Sequence, residues 1–165
     1  MLLEFKTKNY KSFVDEMVFS MTPAPKQKGL DYSILSMKAG NKTYKGLSSA
    51  VIYGPNASGK TNVIGAMDTF RSIVMRGSIR NADAASPNAA ASALELIPNC
   101  NGTNEPTEFS VRFVDDGLMA EYSVKVDLGS FMDGDYQRKI LEEKLSVNEK
   151  QVFLRNGGLM VDLPS

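Results

Sequence analysis

The 165-residue chain has no histidine, no tryptophan and one cysteine, Cys100. Without imidazole there is no Ser–His nucleophilic pair, no histidine general base and no His-ligated zinc. A lone cysteine forms no internal disulfide, which agrees with a reducing compartment, so the expected location is cytoplasmic. Charge of one sign is also missing: 19 Lys+Arg balance 19 Asp+Glu. A chain devoted to holding nucleic acid normally carries a basic excess. Any nucleic-acid contact is therefore expected from a local patch or from a longer parent protein. No apolar run approaches the roughly 20 residues that cross a bilayer. Met1-Leu2-Leu3-Glu4-Phe5-Lys6 places acid and base too early for a signal peptide. No membrane partner is expected.

What is present suits one ordinary domain, with 42% hydrophobic and 23% charged residues. Leu3, Phe5 and Thr7 alternate with Glu4, Lys6 and Lys8, the period of a half-buried strand. Met17, Phe19 and Met21 suggest a second strand, with Asn9–Asp15 as the turn between them. Thr22–Gly29, with Pro23 and Pro25, reads as a loop. Ala50-Val51-Ile52-Tyr53 is a continuous apolar run, which predicts a strand buried on both faces. Thr61–Arg76 reads as a helix whose apolar face is Val63, Met67, Phe70 and Val74, widened by Ile64 and Ile73. Ser78–Ala93 is mostly Ala, Ser and Asn around Pro87; it has no apolar face and reads as a mobile loop.

Past Pro106 the pattern becomes antiparallel strand. Phe109, Val111 and Phe113 alternate with Ser110 and Arg112, Asp115-Asp116-Gly117 makes a hairpin turn, and Ala120, Tyr122, Val124 and Val126 continue on the return strand. Ile140–Val147 and Val152–Arg155 form a second pair across Asn148-Glu149-Lys150, and a turn precedes Leu159–Leu163. Leu141–Leu145 is also compatible with a helical turn. The expected organisation is residues 1–77 with strands, loop and first helix, a mobile stretch at 78–105, and an antiparallel arm at 106–165.

One motif carries chemistry. Gly54-Pro55-Asn56-Ala57-Ser58-Gly59-Lys60-Thr61 matches G-x-x-x-x-G-K-[ST], with an apolar run before it and an amphipathic helix after it. Gly54 and Gly59 let the backbone curl, so that N–H groups from Asn56 to Thr61 form an anion nest at a helix N-terminus. Lys60 is expected to reach the β- and γ-phosphates of ATP, and the Thr61 hydroxyl to ligate Mg²⁺.

Tyr53-Gly54-Pro55-Asn56-Ala57-Ser58-Gly59-Lys60-Thr61-Asn62 resembles the phosphate loop of ABC-type ATPases of the SMC, RecF and OLD kind. It is most similar to the bacterial AAA-type ATPases related to them, several of which act in anti-phage defence. Phe5-Lys6-Thr7-Lys8-Asn9-Tyr10-Lys11-Ser12-Phe13 resembles the first-strand "N-F-K-S-F" element of the same heads, and Pro106–Arg155 resembles their antiparallel arm. Ala57 departs from the Gly found in many relatives. The resemblance implies an α/β fold, a P-loop NTPase of ABC/SMC-head type, N-terminal lobe only, with an antiparallel β-meander arm. It adds Asn62, Lys11 and Ser12 to the nucleotide site. It also implies a head-to-head homodimer in the full-length protein, in which two heads sandwich ATP, and a role in DNA maintenance or phage defence.

Hydrolysis in that family needs an acidic strand, a signature loop and a switch histidine. Val111–Asp116 is broken at period two by polar residues and ends in a hairpin, so it is not read as the acidic strand. Leu159–Asp162 is short and follows two glycines. Gln137 and Gln151 read as surface positions. This chain alone is thus expected to bind ATP·Mg²⁺ and turn it over negligibly. Two other classes remain: a small-molecule or nucleotide kinase on the same loop, and a nucleotide-binding module without turnover. Neither D-x-x-G nor N-K-x-D occurs, which argues against a GTPase.

Overall fold

The computed structural model describes residues 1–25, 29–76, 79, 96–101, 105–129, 138–156 and 159–161. Among the described residues the regular elements are nine strands, one long helix and a short 3-10 helix at Asp31–Ser33: β1 (Leu2–Lys8), β2 (Met17–Ser20), β3 (Ile34–Ala39), β4 (Lys42–Leu47), α1 (Lys60–Arg76), β5 (Thr107–Asp115), β6 (Leu118–Asp127), β7 (Lys139–Val147), β8 (Lys150–Arg155) and β9 (Leu159–Val161). Seven strands form one sheet in the order β2-β1-β5-β6-β7-β8-β9, every neighbouring pair antiparallel. The arm thus begins one strand away from β1.

The tight turns explain why the meander folds where it does. Asp116 and Gly117 sit at φ 43° and 75° between paired Asp115 and Leu118. Asn148 and Glu149 sit at φ 49° and 68° between paired Val147 and Lys150. Two successive positive-φ residues match the right-handed twist of the strands they join. Leu141–Leu145 is strand, resolving the helix-or-strand ambiguity in favour of its cross-strand partners.

One face of the sheet carries the core. Leu3, Phe5 and Thr7 are buried in alternation along β1. Phe5, Phe109, Val124 and Val126 pack with Ala66, Phe70 and Ile73 of α1, and with Tyr10. A smaller cluster of Leu3, Ala39, Val114 and Met119 lies at the other end of β1, where the β3–β4 hairpin folds over. That hairpin was not anticipated; its signal was Gly40-Asn41, with Gly40 at φ 56°. The opposite sheet face is an ordered grid of charge. Glu4, Arg112 and Glu121 are register partners, as are Lys8, Glu108 and Lys125. Arg112 approaches both Glu4 and Glu121, and Lys125 approaches Glu108. A sheet with one packed and one wet face is the usual antiparallel arrangement.

Two expectations change. Ala50–Tyr53 is not a buried strand: among the described residues it has no ladder partner, and Val51 and Tyr53 are 84% and 89% exposed. A run reads as doubly buried only if neighbours supply its hydrogen bonds and cover its faces. The helix face is also rotated. Val63, Ala66, Thr69, Phe70 and Ile73 are buried, whereas Val74 is exposed and Ile64 is 64% exposed. The small Ala66 and the polar Thr69 face the sheet because they let α1 come close to Tyr10.

Of the stretch expected to be mobile, Ile79, Leu96 and Asn99 are described and buried, with Ile79 and Leu96 in the main core cluster. Residues 80–95, most of Ser78–Ala93, lie outside the described residues, as does Asp162.

Candidate phosphate-binding site

The site lies where β1 ends and α1 begins. Chain direction reverses after β1 through a cramped turn: Asn9 and Lys11 adopt φ 51° and 47°. The Tyr10 N–H donates to the Phe13 carbonyl at 2.9 Å, and the Phe13 N–H to the Tyr10 carbonyl at 2.8 Å. Asn9 is buried and fixes the turn to the arm. Its side-chain Nδ2 donates to the Glu105 carbonyl at 2.6 Å, and its main-chain carbonyl accepts the Thr107 hydroxyl at 2.7 Å. Tyr10 has no exposed surface; its hydroxyl meets Thr69 Oγ1 of α1 at 3.0 Å and its ring stands edge-on to Phe109. Lys11 places its ammonium over the Tyr10 ring, 5.6 Å from the centroid, and its N–H donates to the Ile97 carbonyl at 3.0 Å.

Against this turn rests the loop Gly54–Thr61. Gly59 is at φ 85°, a conformation that side chains resist. A Cβ there would stand 2.9 Å from Ser12 Oγ and 3.5 Å from the Phe13 ring. At Gly54 a Cβ would stand 3.0 Å from Ser58 Oγ. The two motif glycines thus let the loop curl, and the second also lets it touch the turn. Ala57 is held at φ 61° without that freedom.

Helix α1 starts at Lys60, so its first N–H groups have no partner within the helix. The Gly59 carbonyl accepts the N–H groups of Asn62 and Val63 at 2.9 and 3.3 Å, closing the first turn. The Lys60 ammonium folds back into the curl. It donates to the Gly54 carbonyl at 2.9 Å and to the Pro55 carbonyl, and it lies 3.4 Å from Ser58 Oγ. Gly54–Ser58 and Thr61 are exposed, so a ligand reaches the loop from solvent. Asn62 turns the other way: its Nδ2 donates to Ser12 Oγ at 2.7 Å.

The residues singled out from sequence therefore fall into one neighbourhood. Gly54, Pro55, Asn56, Ala57, Ser58, Gly59, Lys60 and Thr61 form the loop; Asn62 and Ser12 touch; Lys11 sits one residue away in the turn. Sequence reading missed Asn9, Tyr10 and Thr69, which hold the turn in place; a Tyr inside a polar turn opposite an amphipathic helix was the available signal. Asp115 lies at the far end of β5, eight residues from Thr107, which bonds Asn9. Among the described residues no cluster of acidic or Cys side chains is arranged to hold a metal on its own. The donor set of the loop fits a nucleotide whose phosphates would bring Mg²⁺ with them. No described helix is long and apolar enough to cross a membrane.

Neither the curated proteins nor the solved structures yield a match to this chain. Residues 49–155 do match the model of a protein family described as "AAA domain, putative AbiEii toxin, Type IV TA system", a span that takes in the loop, α1 and the arm through β8. The chain is a mixed α/β, ATP-binding, P-loop ATPase-like domain, and it belongs to this AAA family.

Proposed function

We propose that this chain is the nucleotide-binding lobe of an ABC/SMC-like ATPase, acting in DNA maintenance or phage defence. The observation that carries the reading is the Lys60 ammonium, turned into the curl of the loop onto the carbonyls of Gly54 and Pro55. A triphosphate offers that cation stronger acceptors than neutral carbonyls, because hydrogen bonds between charged groups are shorter and stronger. In this reading Gly54–Thr61 wraps the phosphates, Lys60 pairs with the β- and γ-phosphates, and the Thr61 hydroxyl ligates Mg²⁺. Asn62, Lys11 and Ser12 flank the nucleotide. Mg²⁺, when bound with ATP, neutralises charge on the same two phosphates.

The finer assignment has two supports. The turn Lys11-Ser12-Phe13 backs the second motif glycine, where the resembling ATPases carry their Lys-Ser-Phe element. The exposed run Val51–Tyr53, beside a helix that leaves Ile64, Val74 and Met75 uncovered, suits further parallel strands from a longer head. Such a head would pair with a second copy around ATP. The family description, a toxin of a toxin–antitoxin system, favours a defence role over a housekeeping one.

Equilibrium titration with a fluorescent ATP analogue and Mg²⁺ tests the reading. Lys60→Ala should bind at least about tenfold more weakly, the consequence of losing a hydrogen bond to a charged group. Equal affinities would refute the loop assignment. Phosphate release should stay at background, since positioning of the attacking water is most of what such enzymes contribute and the loop residues do not supply it by themselves. Turnover that rises with protein concentration and disappears in Lys60→Ala would show that this chain completes its own site.

A further inference from the structure

We infer that Asn62 is a positioning residue for the phosphate loop, acting through the hydroxyl of Ser12; the inference rests on the loop being the phosphate site. Asn62 follows directly on Lys60-Thr61, yet its side chain leaves the loop's mouth and donates to Ser12 Oγ at 2.7 Å. Ser12 Oγ is also the atom that a Cβ at Gly59 would strike. One hydroxyl therefore touches the loop at two points, the residue before Lys60-Thr61 and the residue after.

The contact belongs to a stripe. Asn62, Ala66 and Thr69 recur every three or four residues along one side of α1, in line with Gly59 just before it. Gly59 and Asn62 meet Ser12, and Thr69 meets the Tyr10 hydroxyl. Ala66 is fully buried in the same core cluster as Tyr10. The turn is itself fastened to the arm by Asn9 and to residues 97–99 by Lys11. The start of α1, which sets where Lys60 and Thr61 stand, is thus referenced to the sheet through Ser12.

The hydroxyl has chemistry to spare. A serine oxygen accepts two hydrogen bonds and donates one. With the Asn62 amide on one lone pair, the Ser12 proton remains to be donated. A phosphate oxygen held by the loop is an anionic acceptor of the sort that takes it. Asn62 would then orient Ser12 as well as hold the loop. An aspartate at position 62 could not do so, because its carboxylate accepts hydrogen bonds and would place negative charge beside the phosphates.

The test is a double-mutant cycle on the full chain, read by titration with Mg²⁺ and a fluorescent ATP analogue, with melting temperatures of the nucleotide-free proteins alongside. Ser12→Ala and Asn62→Ala should each weaken binding about fivefold, the scale of one net hydrogen bond. The double variant should lose no more than Ser12→Ala alone, because Asn62 acts only through that hydroxyl. Ser12→Thr, which keeps the hydroxyl, should bind more tightly than Ser12→Ala. Asn62→Asp should be the weakest binder of the set, with no greater loss of melting temperature than Asn62→Ala. Unchanged affinity in Asn62→Ala, or losses that simply multiply in the double variant, would overturn the inference. So would a lower melting temperature with unaltered affinity, which would mark the pair as a fold tie only. Lys60→Ala run in parallel separates the two failures: if it also binds normally, the phosphate-loop reading has failed first.

Discussion

The antiparallel arm and the run that leads into the phosphate loop are both rich in apolar residues, yet they end in opposite environments. Phe109, Val124 and Val126 of the arm are buried against α1. Val51 and Tyr53, just before the loop, face water. The arm contains its own partners: β5 to β8 pair in sequence, tight turns join β5 to β6 and β7 to β8, and alternation settles which side chains point inward. The run at 50–53 has no neighbour of its own among the described residues. Apolar composition decides burial only where the chain also provides the surface to be buried against.

The largest effect should come from cutting into the arm. Phe109 is 1% exposed and makes ring contacts with both Tyr10, edge-on, and Phe70. Phe109→Ala should cost about 3–5 kcal/mol of unfolding free energy, the usual result of emptying a buried aromatic site. Domains are stable by only about 5–15 kcal/mol. Tyr53→Ala, equally aromatic but exposed, should change stability by less than about 0.5 kcal/mol. Chemical denaturation of the two variants breaks the comparison if Tyr53→Ala proves as costly as Phe109→Ala, since Val51–Tyr53 would then be packed in solution.

The same contrast explains what was legible in the sequence. The meander was, because period two in Phe109–Phe113 and the turn residues Asp116-Gly117 are local signals that agree with each other. The loop was, because the spacing of Gly54, Gly59, Lys60 and Thr61 is fixed by the phosphate it would bind. The helix face was legible only approximately: Val63, Met67, Phe70 and Ile73 do pack inward, but Val74 and Ile64 face out, while closeness to Tyr10 also selected Ala66 and Thr69. The β3–β4 hairpin escaped because its buried positions, Ala39 and Gly46, are small and give the inward face little apolar contrast. The placement of Ser12 depended on a non-local contact with Asn62, fifty positions away. Such a contact leaves no trace in spacing.

A middle-sized effect sits inside the arm. The Tyr122 hydroxyl donates to the Glu143 carboxylate, which also pairs with Arg155 at 2.6 Å. Burial, and then that hydrogen bond, push the Tyr122 pKa well above its ordinary value. The folded chain therefore keeps a proton that the unfolded chain gives up above about pH 10. The stability tied to this group is complete below that pH and is lost as pH rises beyond it. Near neutrality Tyr122→Phe should be less stable by about 1–2 kcal/mol, allowing for partial solvent screening of the charged partner. Denaturation from pH 8 to pH 11 should show that gap narrowing at the alkaline end. A gap that widened there would mean that the tyrosine ionises more easily folded than unfolded.

The smallest effect bears most directly on how firmly the loop is held. Ala57 in the phosphate loop and Glu149 in the β7–β8 turn share nearly the same backbone conformation, at φ 61° and 68°. Neither residue type favours it, and the strain is roughly 1–2 kcal/mol for an L-residue. Glycine relieves the strain but gives the unfolded chain more freedom, which offsets roughly 0.5–1 kcal/mol of the gain. Glu149→Gly should therefore stabilise by about 0.5 kcal/mol even though it gives up an exposed ion pair with Lys42, a contact of little worth in water. If the turn at Lys11–Phe13 holds the loop as tightly as strands hold a hairpin, Ala57→Gly should gain as much. If the loop relaxes when no ligand fills it, Ala57 escapes its strain and glycine brings only the entropy penalty, so Ala57→Gly should be neutral or slightly destabilising. Repeating the denaturation with ATP and Mg²⁺ present decides between them. In a relaxing loop the ligand restores the strained curl, and the glycine variant should then gain stability relative to the parent only when nucleotide is bound. In a loop already held, the gain should be the same with and without it.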